Sequence, residues 1–423
     1  MRGPAVSGNK PRTLVVAGLG LGQILAWGSS YYLLAILAEP VTADTGWPAT
    51  LVVAGLSIGL VTSALVAPRV GSRIGQGHGR RLLVLSAALL SAGLVLMAVS
   101  PTLWVYLVAW IAIGLGMGTG LYSSAFAALG LLYGESARTP ITALTLFGGL
   151  ASTICWPLSL YLVSEIGWRG TCGVYAALQL LVTIPLYLWV LPQRRLNEPA
   201  RKNTGVAVRP VDVRSRRPSG TSVALLTSIV TLSGLITTTM SVHMFTLLGA
   251  AGFGMAAALA LATLVGPSQV GIRFVELLFA KGHHPLWTMA ASVLLVGLGL
   301  GILSADLPLY ALIMILYGAG IGLASIAHGT VPLAVFGAEG YASLMGRIAL
   351  PALLAQAAAP PLGTLLIDTI GAGATSMALA LAAVANIGLV VWMMLLTHFQ
   401  SVRVRAGSVL TPGAGGGKRA IIH

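Results

Sequence analysis

The sequence predicts an all-α membrane protein, with twelve transmembrane helices in two pseudo-symmetric six-helix bundles. Three observations predict it. First, the chain of 423 residues is 57% hydrophobic and only 8% charged, against about 25% charged residues in a soluble domain. Most of it must therefore face lipid or other helices. Second, apolar runs near the ~20 residues that a spanning helix needs recur twelve times along the chain. Third, when these runs are threaded back and forth, 23 of the 24 Lys and Arg residues fall on one side, as the positive-inside rule requires of a cytoplasmic face.

The runs lie at about 14–38, 48–68, 82–100, 103–131, 140–163, 171–191, 222–249, 254–280, 286–304, 307–332, 341–368 and 373–398. The tail 1–13 is short and basic, and the run behind it is too long for a signal-peptide core, so it reads as a retained first helix. Glu39 closes span 1 on the outer side. The loop after span 2 holds Arg73, Arg80 and Arg81 on the inner side. Span 4 is long enough to tilt or protrude, as are spans 7 and 11. Arg138 precedes span 5 on the inner side, and Arg169, between spans 5 and 6, is the lone outer basic residue. A connector at 192–221, rich in Arg, Pro and Ser, then separates bundle 14–191 from bundle 222–398. It reads as a solvated linker whose basic run could touch anionic headgroups. Arg273 and Arg347 are the basic residues nearest the bilayer interior, and Asp368 caps span 11 on the outer side. With the tail 399–423, both termini are expected in the cytoplasm, and the composition suits a bacterial inner membrane.

The net charge of +14 follows from this topology and implies no nucleic-acid partner. Cys155 and Cys172 lie in or beside apolar runs, so neither a disulfide framework nor a metal site is expected, and no cofactor is implied.

The two bundles echo each other. Gly114, Gly116 and Gly118 recur as Gly318, Gly320 and Gly322. Pro157, Leu158, Leu162, Ile166 and Gly167 recur as Pro361, Leu362, Leu366, Ile370 and Gly371. Val70-Gly71-Ser72-Arg73 recurs as Val270-Gly271-Ile272-Arg273, expected at the matching end of span 8. Parallel repeats of this kind put a cargo site near mid-membrane at their interface.

With these features the chain resembles the major facilitator superfamily over essentially its whole length. Gly71, Gly79, Arg80 and Arg81 match the family's loop signature after span 2. Gly75 stands where the family has an Asp that latches the inner gate, which leaves Glu276, one turn after Arg273, as the expected latch in the second half. The resemblance implies a secondary transporter working by rocker-switch alternating access, coupled to protons, with spans 1, 4, 7 and 10 lining its cavity. A finer resemblance, to the monocarboxylate and oxalate–formate porter branch, rests on Gly114 to Tyr122, Arg138 and Gly148-Gly149. It implies a small organic anion as cargo. The alternatives are a drug exporter of the same superfamily and a transporter-like solute sensor. Trp110 and Ile113 stand near the places where the drug–proton antiporters carry an Arg and a Gln.

Candidate cargo contacts are Gln23, Trp27 and Tyr31 in span 1, Tyr122 and Ser124 in span 4, Trp156 in span 5, His243 in span 7, His328 in span 10 and Arg347 in span 11. Hydroxyls, an amide and aromatic faces suit a small polar solute, and a guanidinium can hold a carboxylate bidentately. Arg347 is the expected anion contact. Gly71, Arg73, Arg80, Arg81, Arg273 and Glu276 are expected to gate. None of the ten acids sits in mid-span, so Glu39 and the titratable His243 are the coupling candidates. The Gly-x-Gly-x-Gly run lies within a membrane helix and reads as close helix packing rather than a nucleotide loop. No acid–base or metal cluster supports an enzyme. The expected partners are the bilayer, a small solute and protons.

Overall fold

The computed structural model describes residues 10–192, 220–279 and 283–409. The central connector falls almost wholly outside them. Seven helical runs among the described residues are long and apolar enough to cross a membrane, and three are too long for one crossing. At 1.5 Å per residue the 50-residue run Ala49–Ala98 would reach about 75 Å, against ~30 Å of bilayer hydrocarbon. It reverses at Gly77 (φ +93°). The 88-residue run Leu103–Val190 is interrupted at Gly134 (φ +57°) and Gly167 (φ +70°), and the 58-residue run Tyr341–His398 at Gly371 (φ +82°). These are left-handed conformations that glycine adopts without a steric penalty. Divided there, and with the N-terminal helices added, the runs give twelve spans.

Span 1 is α1 (Arg12–Gly28) with α2 (Leu34–Thr45). Span 2 is α3 (Ala49–Arg73) and span 3 is α4 (Gly79–Ala98). Span 4 is α5 (Leu103–Gly120) with α6 (Tyr122–Tyr133). Helix α7 (Arg138–Leu178), bent at Gly167, carries span 5 and the start of span 6, which α8 (Ile184–Val190) completes. Span 7 is α9 (Gly220–Ala250), and span 8 is α10 (Met255–Ala262) with α11 (Val265–Phe279). Span 9 is α12 (Pro285–Ser304), span 10 is α13 (Tyr310–Phe336), and α14 (Tyr341–Val409), bent at Gly371, is spans 11 and 12. Spans 1, 4 and 8 are thus broken where the sequence suggested continuous helices.

The repeat is real in space. Gly116 packs on Leu90 of span 3 and Gly320 on Val296 of span 9. Ser86 donates to the Gly116 carbonyl at 2.7 Å, and Ser292 to that of Gly320 at 2.9 Å. One echo is corrected. Gly114 and Gly118 meet Gly59, Ser63 and Val66 of span 2, whereas Gly318 and Gly322 meet Val265, Gln269 and Ile272 of span 8. Ile272 therefore corresponds to Val66, and Arg273 to Ala67. The equivalence of Arg73 with Arg273 is a register error of six residues, about 9 Å along a helix. By the same shift Glu276 corresponds to Val70 and not to Gly75.

The two ends of the bundle differ. We call the end carrying Arg69 to Arg81 and Arg138 the basic face. There one apolar core is shared by both halves, with Phe126, Leu129, Ile141 and Leu144 packed on Leu333, Tyr341, Ala342 and Met345. Helix α3 crosses α14 so closely that a side chain on Gly71 would run into the Ala342 carbonyl, and one on Gly346 into that of Ala67. Toward the opposite end the cores are mostly separate, with Ala357 and Leu353 of span 11 the second-half residues that join the first-half core among the described residues. Leu34, Leu37, Val41 and Trp168 belong to one, and Met244, Leu248, Ala258 and Leu300 to the other. Helix α2 packs on α3 and α7, and α10 on α9 and α13, each within its own half. The molecule is closed at the basic face.

Candidate functional site

The site begins with the break in span 4. Leu121 leaves the helix with an extended backbone (φ −72°, ψ −171°), which orphans carbonyls of the preceding turn, and such groups need partners inside a membrane. Ser124 Oγ donates to the Gly118 carbonyl at 2.9 Å, and Gln23 Nε2, fully buried in span 1, donates to that of Gly120 at 2.7 Å. Two expected cargo contacts, Gln23 and Ser124, thus hold the break, and Gln23 Oε1 stays buried with no hydrogen-bond partner among the described residues. What the break delivers is Tyr122, the first residue of α6.

Tyr122 joins an aromatic cluster. Its ring lies 5.0 Å from that of Trp27 and stacks on Phe126 at 5.0 Å. Trp27 in turn meets Tyr31 at 5.5 Å and Tyr32 at 5.9 Å, and Tyr32 meets Trp156 at 6.0 Å. Tyr31 and Tyr32 occupy the break in span 1, where the Tyr32 amide reaches back to the Trp27 carbonyl. Trp156 anchors this segment by donating to the Tyr32 carbonyl at 3.2 Å. The Tyr31 hydroxyl approaches Thr238 of span 7 in the other half. Nearby, the Tyr317 hydroxyl donates to the Thr237 carbonyl at 2.7 Å and lies 2.8 Å from Ser241 Oγ. The indole N–H of Trp27 is buried with no hydrogen-bond partner among the described residues.

Arg273 forms the charged side of this cluster. It is only 4% exposed. Its Nε donates to Ser325 Oγ at 3.1 Å and to the Gly322 carbonyl at 3.3 Å, and its Nη2 to Gln269 Oε1 at 3.4 Å. Its Nη1 crosses to the first half and donates to the Thr145 carbonyl at 3.2 Å. The Tyr122 hydroxyl donates to that same carbonyl at 3.2 Å. The glycines at 148 and 149 make room, since side chains there would strike the Tyr122 hydroxyl and the Arg273 guanidinium. Among the described residues no carboxylate pairs with it. A guanidinium carries five N–H donors, and one on each terminal nitrogen has no acceptor among the described residues.

Several expectations are corrected by these positions. Glu276 does not partner Arg273. Its carboxylate accepts from Thr288 Oγ1 at 2.6 Å and lies 3.4 Å from His283 Nε2. Arg138 of the first half donates to the His283 carbonyl at 2.7 Å, so this group does join the halves at the basic face, through a loop carbonyl. Arg347 is exposed at the basic face beside Arg69 and Arg73, away from the aromatic cluster, because it lies less than two turns from the start of α14. Arg80 donates to the Leu188 carbonyl at 2.5 Å within its own half, and Arg81 is exposed. His243 is packed inside the second half, 3.0 Å from the Pro360 carbonyl and against Gly363. Glu39 is exposed. His328 has a buried Nε2 with no hydrogen-bond partner among the described residues, beside Gly329, which packs on Phe126 and Ile141 of the closed end. Sequence reasoning missed Tyr317, Gln269 and the Thr145 carbonyl. Tyr317 could have been found as the one aromatic hydroxyl next to the second-half glycine run. A backbone carbonyl leaves no mark in a sequence.

A family model described as "Major Facilitator Superfamily" matches residues 19–327. This chain belongs to the major facilitator superfamily. Among solved structures, the human organic anion transporter MFSD10 (TETRAN) is 17% identical, with a TM-score of 0.71 over 90% of this chain and 100% of that one. FucP in the outward conformation is 15% identical, with a TM-score of 0.62 over 89% and 98%. The proton:xylose symporter XylE, bound to 6-bromo-6-deoxy-D-glucose, is 13% identical, with a TM-score of 0.65 over 89% and 94%. At these identities the likeness is one of fold. No curated protein sequence matches the chain. This major facilitator is therefore an integral membrane transporter of a small solute and not an enzyme.

Proposed function

We propose that this major facilitator carries a small organic anion, with a monocarboxylate as the simplest case, and that Arg273 receives the carboxylate. One observation carries the reading. A buried guanidinium at the meeting of the two halves has, among the described residues, no acidic partner and no acceptor for two of its N–H groups. Burying an uncompensated charge is costly, and a fork of parallel N–H donors matches a carboxylate. The unpartnered indole N–H of Trp27 and the faces of Tyr31, Tyr32 and Tyr122 would hold the rest of the solute.

In this reading the basic face is cytoplasmic, and the closed state is the one that loads from the other side. Arg273 reaches the Thr145 carbonyl only while the inner ends of the two halves are together, so a bound anion and the closed gate share one guanidinium. Rocking the halves apart would break that bond and release the solute inward, which is alternating access by a rocker switch. A co-transported proton would offset the anion's charge. Tryptophan fluorescence of the purified protein, titrated with short carboxylates and with neutral isosteres of the same size, tests cargo class. Quenching by carboxylates alone, lost in Arg273→Gln, is expected. Equal quenching by the neutral compounds would contradict the reading.

A further inference from the structure

A second basic group lies outside the cargo site. Arg69 and Arg73, four residues apart on α3, face Ser343 and Arg347, four residues apart on α14. Together with Pro68 and Ser72 they line an open cavity of about 400 Å³. The cavity flanks the close crossing of α3 and α14 at Gly71 and Gly346, so its walls belong to different halves of the molecule. All three arginines are exposed. Among the described residues none of their guanidiniums has a hydrogen-bond acceptor or an acid partner.

This arrangement is unfavourable as it stands. Like charges four residues apart on a helix repel, and closing the basic face brings a third to the same pocket. A bound anion reverses the sign. A phosphate oxyanion takes paired N–H donors from arginine and single donors from serine hydroxyls, and both kinds line this cavity. The place also fits, because the cavity opens at the ends of the apolar spans, where lipid headgroups lie, and basic pockets between helices there bind phosphorylated headgroups. The aromatic cluster and Arg273 play no part in it.

We infer that the cavity between Arg69, Arg73 and Arg347 binds a phosphate group, and that its occupancy holds the basic face closed. The group is supplied by an anionic phospholipid headgroup or by free phosphate. Parting the halves carries Arg347 away from Arg69 and Arg73 and dismantles the site, so binding favours the closed state by the affinity lost on opening.

The test uses the full chain in nanodiscs, labelled by energy-transfer dyes at Gln76→Cys and Glu339→Cys, which are exposed positions on opposite halves. The native Cys155 and Cys172 are buried. Three conditions are compared: phosphatidylcholine alone, phosphatidylcholine with phosphatidylglycerol, and phosphatidylcholine with inorganic phosphate. Phosphatidylglycerol is expected to raise the ratio of closed to open molecules on the order of fivefold and to raise the melting temperature, with both effects lost in Arg347→Gln and in Arg73→Gln. A response to phosphatidylglycerol alone assigns the site to lipid, and an equal response to inorganic phosphate assigns it to the free anion. No change in either readout, or the same change in both variants, overturns the inference.

Discussion

Span 2 ends on Val70-Gly71-Ser72-Arg73 and span 8 carries Val270-Gly271-Ile272-Arg273, yet the two arginines live in different worlds. Arg73 is exposed at the basic face beside two other arginines. Arg273 is 4% exposed, holds acceptors in three helices and touches the other half. The contacts of the repeated glycines explain the difference. Span 8 is shifted by six residues relative to the apparent sequence match, so Arg273 lies about 9 Å deeper than Arg73. A four-residue echo on its own fixes neither structural equivalence nor depth. Depth is set by what each turn packs against, and depth decides whether a guanidinium snorkels to headgroups or becomes a charged centre inside the protein.

The comparison can be broken most directly at Arg273. Replacing it with Gln removes a charged donor set of which each bond contributes about 1.5–3 kcal/mol. Carboxylate affinity is expected to fall on the order of 10- to 100-fold in a direct binding titration, with Arg273→Lys intermediate because the planar fork is gone. Arg73→Gln should leave that affinity within about twofold, the normal effect of a surface change. An equal loss in both would erase the distinction.

Next in size is the crossing that separates the two environments. Gly346→Val places methyl groups against the Ala67 carbonyl and the Pro68 backbone, and overpacking of this kind costs about 1–3 kcal/mol. Because the clash exists only while the halves are together, the variant should populate an open basic face. Faster thiol labelling of a cysteine introduced at Ser343 would register it, and unchanged labelling would argue against the crossing as the closure.

Tyr122→Phe sharpens the picture at the other partner of the Thr145 carbonyl. Losing this neutral hydrogen bond, a contribution of about 0.5–1.5 kcal/mol to the fold, while keeping the ring stacked on Phe126 should lower the melting temperature slightly and change carboxylate affinity far less than Arg273→Gln does. A loss of affinity as large as that of Arg273→Gln would contradict the picture.

The smallest expected effect is one of pH. His284, just before span 9, accepts the Leu286 amide at 3.3 Å. Burial first, and then the charges of Arg138 and His283, lower its pKa below the usual 6.5. The unfolded chain therefore takes up this proton first as pH falls. The contribution is fully present above pH 6.5 and is lost as pH drops through the lowered folded value. His284→Asn, which can cap without titrating, should flatten the acid side of a melting-temperature profile. A profile of unchanged slope would remove His284 from the account.

Much of the fold was legible because membrane spans announce themselves by length and apolarity. The twelve runs, the basic asymmetry and the glycine repeat of spans 4 and 10 all follow from that. The turns at Gly167 and Gly371 were legible as repeated residues, though not as left-handed backbone. The breaks in spans 1, 4 and 8 were not legible. The one at Leu121 is stabilised by Gln23, 97 residues away, and no local pattern reports such a bond. The site was half legible. Trp27, Tyr31, Tyr122 and Trp156 do gather in one cluster, while Gln23 and Ser124 serve the backbone beside it. The burial of Arg273 and the exposure of Arg347 reflect one fact, that an apolar run does not say which of its turns lies at mid-membrane.

Counterflow of a labelled carboxylate in proteoliposomes, run side by side with Arg273→Gln and Arg347→Gln, tests the central claim most directly. The account predicts exchange in the wild type and in Arg347→Gln, with exchange lost in Arg273→Gln that still melts cooperatively. Exchange surviving in Arg273→Gln and vanishing in Arg347→Gln would place the anion at the basic rim and contradict it.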